Sequence, residues 1–491
     1  MSSGEPSTAR PLVGHVGFAV LLLAGLLIRL PLLPLFGTPD HYGWKIWSYA
    51  GATHPLGLIY RMDKDRRPPV TWSNIQKVLD DRLAPASWSY GGREEVIVYP
   101  PVVPLALGVV GKAYIAFSPS YQDTPLLNAV LKLPALLADM LATCLIYFAA
   151  LRRLKPRIAV AAAGAYWLNP MSILGGALLA YQDPIYAAAL IAAALLFSGG
   201  RHAWGWAFFV VAVLTKPQPA LAVPILLAAS VAQRRCMKLP GYVASSAASA
   251  LLVMMPFVLS GTVLNVFSGA YQIAKQPFLS GNNCNIWWLA GYLLQVKQRL
   301  AGGDPLDSAL RVQTEIALMP DLLAAGRPDP KIWGAVFMLV FTLAVIWAWW
   351  RRAGSTIAAR SGRSPLVAEG IALQIYGGTM LLTQSHENHA YGAAALLGLA
   401  WWLERKGGRP DRELLALYCA LSVIVTLNMT IFYGLGGDPP TTQFPRGATL
   451  VDASVLLSVV NYLLFGWWLW RWIRDAVPRR KGQLLPAQQL A

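Results

Sequence analysis

Long apolar runs broken by short polar clusters dominate the chain. A helix needs about 20 apolar residues to cross the hydrocarbon layer of a bilayer. Candidate spans measured against that length are 14–35, 128–151, 158–180, 184–199, 203–216, 217–231, 241–260, 333–350, 366–385, 390–403, 413–434 and 450–472. Several are short, and Pro217 and Pro219 interrupt the stretch 203–231, so the pattern predicts about 11 to 14 transmembrane helices. The run 102–118 is expected to be re-entrant, to lie on the membrane surface, or to pair with a further crossing. The first run, Val13 to Phe36, is longer than a signal-peptide core and lacks an A-x-A site, so it is expected to stay as the first span.

Basic residues fall between these runs. Arg152, Arg153, Lys155 and Arg157 form one cluster, Arg234, Arg235 and Lys238 a second, and Arg351, Arg352, Arg360 and Arg363 a third. Arg405, Lys406 and Arg409 form a fourth, and the tail from Arg471 to Lys481 a fifth. Cytoplasmic loops are enriched in Lys and Arg, so all five are assigned to the cytoplasm. The outer face then receives a long first loop, 36–127, a second large loop, 261–332, the Gln182–Asp183 pair, and the turn at 383–390. The expected organisation is one all-α polytopic membrane domain over 1–485, with a basic cytoplasmic tail at 474–491.

Composition agrees. Hydrophobic residues make up 56% of the 491 positions and charged residues 13%, a balance typical of membrane proteins. The net charge of +17 would suit nucleic acid if it lay on one face. Its division among short clusters between apolar runs points to anionic lipid instead, and no nucleic-acid partner is expected. The four cysteines are far apart with no C-x-x-C, which argues against a disulfide framework or a zinc site.

The outer segments hold the chemistry. Asp40 follows the first span directly, with His41, Tyr42, Trp44 and Trp47 after it. The tryptophans suit an interfacial anchor, and an interfacial carboxylate suits a general base for a hydroxyl arriving from water. Asp63-Lys64-Asp65 has DxD spacing, but its very polar loop reads as a solvated turn. Gln182 and Asp183 end a span, and Lys216 before Pro217 marks a broken helix, tolerated where backbone lines a polar cavity. A lysine there can face an anion, or simply snorkel to the membrane surface. Asp139 lies deep in a span and is expected to have a partner. Lys275, Asn282 and Asn283 precede Trp287 and Trp288, a segment that suits a carbohydrate-contacting loop or an amphipathic surface helix. In the turn, His386, Glu387, Asn388 and His389 are consecutive. The spacing is not the zincin H-E-x-x-H, so the histidines are read as phosphate donors rather than metal ligands.

Asp40 with Trp47 seven residues on, Tyr99-Pro100-Pro101 closing the first outer loop, and His386-Glu387 opening a late turn recur in this order across roughly 14–403. Together they resemble the GT-C membrane glycosyltransferases, above all the dolichyl-phosphate-glucose-dependent glucosyltransferases and their prokaryotic polyprenyl-phosphate-sugar-dependent relatives. The resemblance implies a GT-C-like helical bundle and an inverting transfer of a hexose from a polyprenyl-phosphate donor to a hydroxyl acceptor, lipid-linked or glycan, outside the cytoplasm. It implies no metal or other cofactor. The Ala- and Trp-rich spans point to a bacterial inner membrane, and the one-sided clustering of candidate residues puts the site on its outer face. Asp40 takes the role of base, His386 that of a donor-phosphate contact, and Glu387 orients it. His389, Lys216 and Lys275 join the phosphate group from charge and position alone. Candidate substrate contacts are His41, Tyr99, Gln182, Asp183, Asn282 and Asn283. The eukaryotic enzymes have Lys after the His-Glu pair where this chain has Asn388 and His389, a departure at the donor phosphate. A lipid-linked-sugar flippase or sugar transporter is the competing reading, and it predicts ionisable residues near the membrane midplane.

Overall fold

The structure, a computed structural model, describes residues 9–61, 87–232, 238–319, 329–354, 366–403, 405–406, 409–437 and 446–477. The sequence expectations for Asp63-Lys64-Asp65, Arg234, Arg235, Cys236, Arg360, Arg363 and the tail after Val477 lie outside the described residues. The described chain is overwhelmingly helical. It opens with α1 (Ala9–Arg29) and α2 (Asp40–Thr53), followed by a short hairpin of β1 (Ser87–Tyr90) and β2 (Arg93–Val96). Next come α3 (Val102–Phe117), α4 (Pro125–Leu131), α5 (Leu133–Leu151), α6 (Pro156–Trp167), α7 (Asp183–Ser198) and α8 (His202–Val213). The central and last parts comprise α9 (Val223–Ala232), α10 (Leu239–Leu259), α11 (Val263–Lys275), β3 (Ser280–Gly281), α12 (Ile286–Ala301), α13 (Leu306–Leu310), α14 (Pro330–Gly354), α15 (Leu366–Leu381), β4 (Ser385–His386), α16 (Tyr391–Leu403), α17 (Arg412–Tyr433) and α18 (Ala453–Arg474).

Six of the described helices are long and apolar enough to cross a membrane: Gly14–Leu32, Pro125–Leu151, Leu239–Leu259, Pro330–Ala353, Arg412–Tyr433 and Ala453–Arg474. A seventh arises if Pro156–Trp167 and Pro170–Leu178, bent by 46°, count as one. Six more apolar helices are shorter, α7, α15 and α16 among them. Their position explains their length. Every residue of α15 is buried, as is most of α7 and α16, so these helices are surrounded by protein and need not match the lipid thickness. By contrast α1 and α10 expose leucines and valines such as Leu23, Leu27, Leu251 and Leu252, as lipid-facing helices do.

The run 102–118 pairs with α2 rather than with a further crossing. Gly51 and Gly108 meet so closely that a Cβ on Gly51 would lie 2.3 Å from the Gly108 Cα, and one on Gly111 would lie 2.1 Å from the Ser48 carbonyl oxygen. Beneath this pair a separate apolar cluster gathers Trp44, Trp47, Tyr60, Leu107, Tyr121 and Phe257. The main core lies among α7, α15, α16 and α17.

Charges inside the bundle are paired. Asp139 accepts hydrogen bonds from Tyr166 (2.6 Å), Ser172 (3.0 Å) and Tyr391 (3.1 Å), and Arg29 stands 3.9 Å away with its guanidinium over the Trp167 ring. At the start of α15, Glu369 receives Arg471 at 2.5 Å and Arg352 at 3.5 Å, while Arg471 also bonds Asp411 at 2.7 Å. This knot joins α14, α15 and α18 to the cap of α17, at the end of α15 opposite the 382–390 turn. A buried ion pair contributes little net stability, but removing one partner strands the other. Asp139→Ala is therefore expected to cost about 3–5 kcal/mol, read as a lowered Tm of the detergent-solubilised protein. Arg29→Met combined with Asp139→Leu should recover most of the loss, and a double variant as unstable as the single one would count against the pairing.

Candidate functional site

Three chain breaks meet at the far end of the core from the Glu369 knot. The first is the start of α2, where Asp40 stands in the first turn. The second is the break after α8, where Lys216-Pro217 prevents the helix from continuing into α9. The third is the 382–390 turn between α15 and α16. That turn is held by short parallel pairing of β3 with β4, Ser280 opposite Ser385 and Gly281 opposite His386. Asparagines brace it from behind. Asn283 Nδ2 donates to the Thr379 carbonyl (2.8 Å) and to Ser385 Oγ (3.0 Å), and Asn428 Nδ2 donates to Asn283 Oδ1 (2.9 Å) and to the Glu387 carbonyl (3.1 Å).

A cavity of about 180 Å³ opens between the three breaks. Asp40, Tyr99, Lys216, His386, Glu387 and His389 all line it. The Asp40 side chain is open to the cavity and makes no hydrogen bond among the described residues. The protein around the cavity nevertheless displaces much of the water a free carboxylate would hold. That desolvation raises its pKa to about 6, with Lys216 opposing the shift and Asp183 and Glu95 adding to it. Lys216 Nζ donates to Asp183 Oδ1 (2.8 Å) and to Asn388 Oδ1 (3.1 Å), and Asn388 Nδ2 closes the triangle on Asp183 Oδ2 (3.0 Å). The lysine is thereby held at the cavity wall, across from Tyr99, whose ring centroid is 5.8 Å away.

The turn residues divide their work. Burial pushes Glu387 up to about 8, so at neutral pH its carboxyl is mostly protonated; Tyr181 donates to its Oε1 at 2.5 Å. His386 sits over the Gly281 backbone, edge-on to Phe278, with Nδ1 3.9 Å from Glu387 Oε2. Burial first and Lys216 second lower its pKa to about 4, so it faces the cavity as a neutral imidazole. His389 is also held neutral, well below its ordinary pKa, by burial and then by Lys216. Its Nδ1 lies 3.2 Å from the His386 backbone N and 3.3 Å from Ser385 Oγ. Nε2 lies 2.8 Å from the Gln218 side-chain amide. The Gln218 atom on that side is Nε2, and its Oε1 is buried without a hydrogen-bond partner among the described residues.

Several candidate residues sit elsewhere. His41 is fully buried, its Nδ1 accepting the Gly37 N–H at 3.0 Å, because one helical step past Asp40 points into the protein. Gln182 is buried against the carbonyls of Leu131 and Ala180, and Asp183 stands behind Lys216 instead of at the cavity. Asn283 is a buried strut, while Asn282, in a left-handed conformation with φ 59°, donates to the Tyr433 hydroxyl at 3.2 Å. Lys275 is exposed, with Nζ turned back along its own helix to the Tyr271 ring at 4.0 Å. The next residue, Gln276, lines the cavity in its place, as do Gln218, Gln384 and Asn388. Sequence reasoning passed over the three glutamines because a glutamine beside a helix break looks like ordinary loop polarity. Only the TKPQPA break itself pointed toward Gln218. Among the described residues no group of three or more His, Cys, Asp or Glu side chains could hold a metal ion.

A comparison with solved structures matches the crystal structure of ArnT from Cupriavidus metallidurans bound to undecaprenyl phosphate. The alignment covers 94% of this chain and 77% of that one, at 14% identity and a TM-score of 0.44, a likeness too distant to assign a role to any residue. No protein-family model and no curated protein matches the sequence.

The Glu387 carboxyl makes a testable contribution to stability. Its pKa is higher in the folded chain, about 8, than the ordinary value of 4.5. The folded state therefore binds the extra proton between those values, and the stabilisation present below pH 4.5 is lost as pH rises through about 8. Glu387→Gln cannot titrate. The wild-type Tm minus the variant Tm should decline steadily from pH 5 to pH 8, and a difference independent of pH would sink the assignment.

Proposed function

We propose that the chain is an inverting GT-C-type glycosyltransferase that moves a hexose from a polyprenyl-phosphate donor to a hydroxyl on a lipid-linked or glycan acceptor, at the outer face of a bacterial inner membrane. The observation that carries this reading is the cavity. It sets a carboxylate with no hydrogen-bond partner among the described residues, Asp40, in the same recess as a fixed cation, Lys216, and an imidazole, His386. The order of Asp40, Tyr99-Pro100-Pro101 and His386-Glu387 along the chain supports it independently.

The donor already carries a good leaving group, so the protein's tasks are positioning, proton removal and charge stabilisation. In the proposed reaction Asp40 takes the acceptor hydroxyl proton. The acceptor oxygen bonds to the sugar's anomeric carbon as the bond from that carbon to the phosphate oxygen breaks. The electron pair stays on the lipid phosphate, and the anomeric centre inverts. Lys216 stabilises that oxygen by charge, and His386 by one N–H. Glu387, protonated near neutral pH, keeps a negative charge away from the departing phosphate and holds His386 in place. No step draws on a metal. The transporter reading expected ionisable groups near the midplane; the deep one, Asp139, has its carboxylate taken up by three hydroxyls with Arg29 alongside.

The test uses purified protein in detergent with polyprenyl-phosphate glucose and polyprenyl-phosphate mannose, scoring binding by thermal shift and turnover by release of free sugar. Asp40→Asn should bind donor yet lose about 10²–10⁴-fold in turnover. Wild-type turnover should fall as pH drops below about 6, where Asp40 takes up a proton. His386→Ala should weaken donor binding by roughly ten- to hundredfold. Unchanged turnover in Asp40→Asn would remove the base, and with it this mechanism.

A further inference from the structure

We infer that a groove between α6, α16 and α17 binds an anionic phospholipid. One acyl chain lies along the groove, and the phosphate sits at the end marked by Arg157 and Arg412. The groove is separate from the catalytic recess. Helix α16 starts at the 382–390 turn and ends at Leu403, and the groove takes Trp401 and Trp402 from that far end. Its volume is about 570 Å³, against about 180 Å³ for the catalytic cavity. It opens outward, because Leu168, Val423 and Leu427 on its walls are exposed.

Its walls suit hydrocarbon. On α6 the groove is lined by Ala161, Gly164, Ala165 and Leu168, small residues but for the last, at the spacing of one helical face. Leu415, Cys419, Ser422 and Thr426 form the facing wall on α17, again on one side of the helix. The stacked indoles of Trp401 and Trp402, centroids 4.2 Å apart, make the third. The inner end is the break at Asn169–Pro170, where the chain bends by 46°. Asn169 Nδ2 donates to the Tyr418 and Ser422 hydroxyls, both at 2.9 Å, and Tyr418 donates to the Ala165 carbonyl at 2.5 Å. Polar groups at that end are thus spent on one another, and a chain of methylenes meets no unmatched partner there.

Charge selects the headgroup. Arg157 lies four residues before Ala161 and Arg412 three before Leu415, so each continues the groove face of its own helix. Both are exposed, and neither has an ion-pair or side-chain hydrogen-bond partner among the described residues. The neighbouring carboxylates are already paired, Asp411 with Arg471 and Glu413 with Arg474. Arg152, Arg153 and Lys155, also exposed, stand just before α6 at the same end. From Arg157 to Leu168 the helix rises about 16 Å, close to the roughly 15 Å of hydrocarbon in one leaflet. The groove therefore fits a lipid of the leaflet on the basic-cluster side, while the donor phosphate proposed above binds at the other end of α16.

The experiment titrates the full-length chain, delipidated in detergent, with phosphatidylglycerol and with phosphatidylcholine of the same acyl chains. Cys419, exposed on the groove wall, reports occupancy by its protection from a maleimide, read from the mass of the peptide that carries it. Phosphatidylglycerol should protect Cys419 and bind about twentyfold more tightly than phosphatidylcholine, roughly fivefold for each arginine. Arg157→Gln combined with Arg412→Gln should bring that ratio close to one. Ala161→Phe, which sets a ring into the groove from an exposed position, should weaken both lipids and leave their ratio unchanged. Equal affinities in wild type, an unaltered ratio in the double arginine variant, or no protection of Cys419 would overturn the inference. Wild-type affinity in Ala161→Phe would place the lipid elsewhere and overturn it as well. Stronger protection by polyprenyl phosphate than by phosphatidylglycerol would give the groove to the donor's chain instead.

Discussion

Backbone that leaves helical geometry inside a hydrocarbon-facing bundle must find its hydrogen bonds within the protein, and that constraint organises this fold. Lys132 shows how it is met. Its buried Nζ lies 2.8–3.1 Å from four carbonyl oxygens, those of Leu32, Leu35, Ala177 and Leu178, which share its three N–H groups. Those oxygens belong to the ends of two separate helical segments, the one after α1 and the π-helical turn at Ile173–Leu178. One side chain thus closes two broken ends. Beside it, Ala180, itself at φ 66°, gives its carbonyl to Trp44 Nε1 at 2.9 Å, which ties the same break to α2. Asp40 stands one turn before that tryptophan, so the device that satisfies the broken backbone also places the carboxylate.

The same logic explains where free charge is found. Deep ionisable groups are matched in place: Asp139 by hydroxyls and Arg29, Glu369 by Arg471 and Arg352. At the cavity the matching is left incomplete. Lys216 has Asp183 behind it but presents its charge to the recess, and Glu387 has Tyr181 on one oxygen while the other is buried without a hydrogen-bond partner among the described residues.

How much of this was legible in the sequence depended on the kind of signal. Apolar periodicity announced an all-α membrane protein, because lipid-facing helices must be long and apolar; α1 and α10 are of that kind. It blurred α7, α15 and α16, since a helix ringed by other helices obeys no bilayer length. Residues with unusual chemistry for their setting stood out, and Asp40, Tyr99, Lys216, His386, Glu387 and His389 all reach one cavity. Charge alone misled at Lys275: the last turn of α11 aims it outward, and the chain enters the cavity one residue later, at Gln276. Asn282 and Asn283 were read as sugar contacts from their type. They serve as struts because the 382–390 turn needs side-chain amides to hold backbone that has no ladder of its own.

The division between struts and contacts follows from which partners the fold can supply. Asn283 sees two fixed carbonyl or hydroxyl acceptors and an amide from Asn428, so its polar atoms are all spent on protein. Gln276 lies at a seam where the outer loops are joined by the Pro277–Met319 and Gln384–Leu279 main-chain hydrogen bonds and by the Gln384 side-chain amide on the Gln276 carbonyl. Its side chain lines the recess, with Oε1 buried and without a hydrogen-bond partner among the described residues. The broken helices therefore do more than admit polar residues to the bundle. By consuming main-chain hydrogen bonds among themselves they leave a fixed ring of carboxylate, ammonium, imidazole and amides whose geometry is set before any substrate arrives.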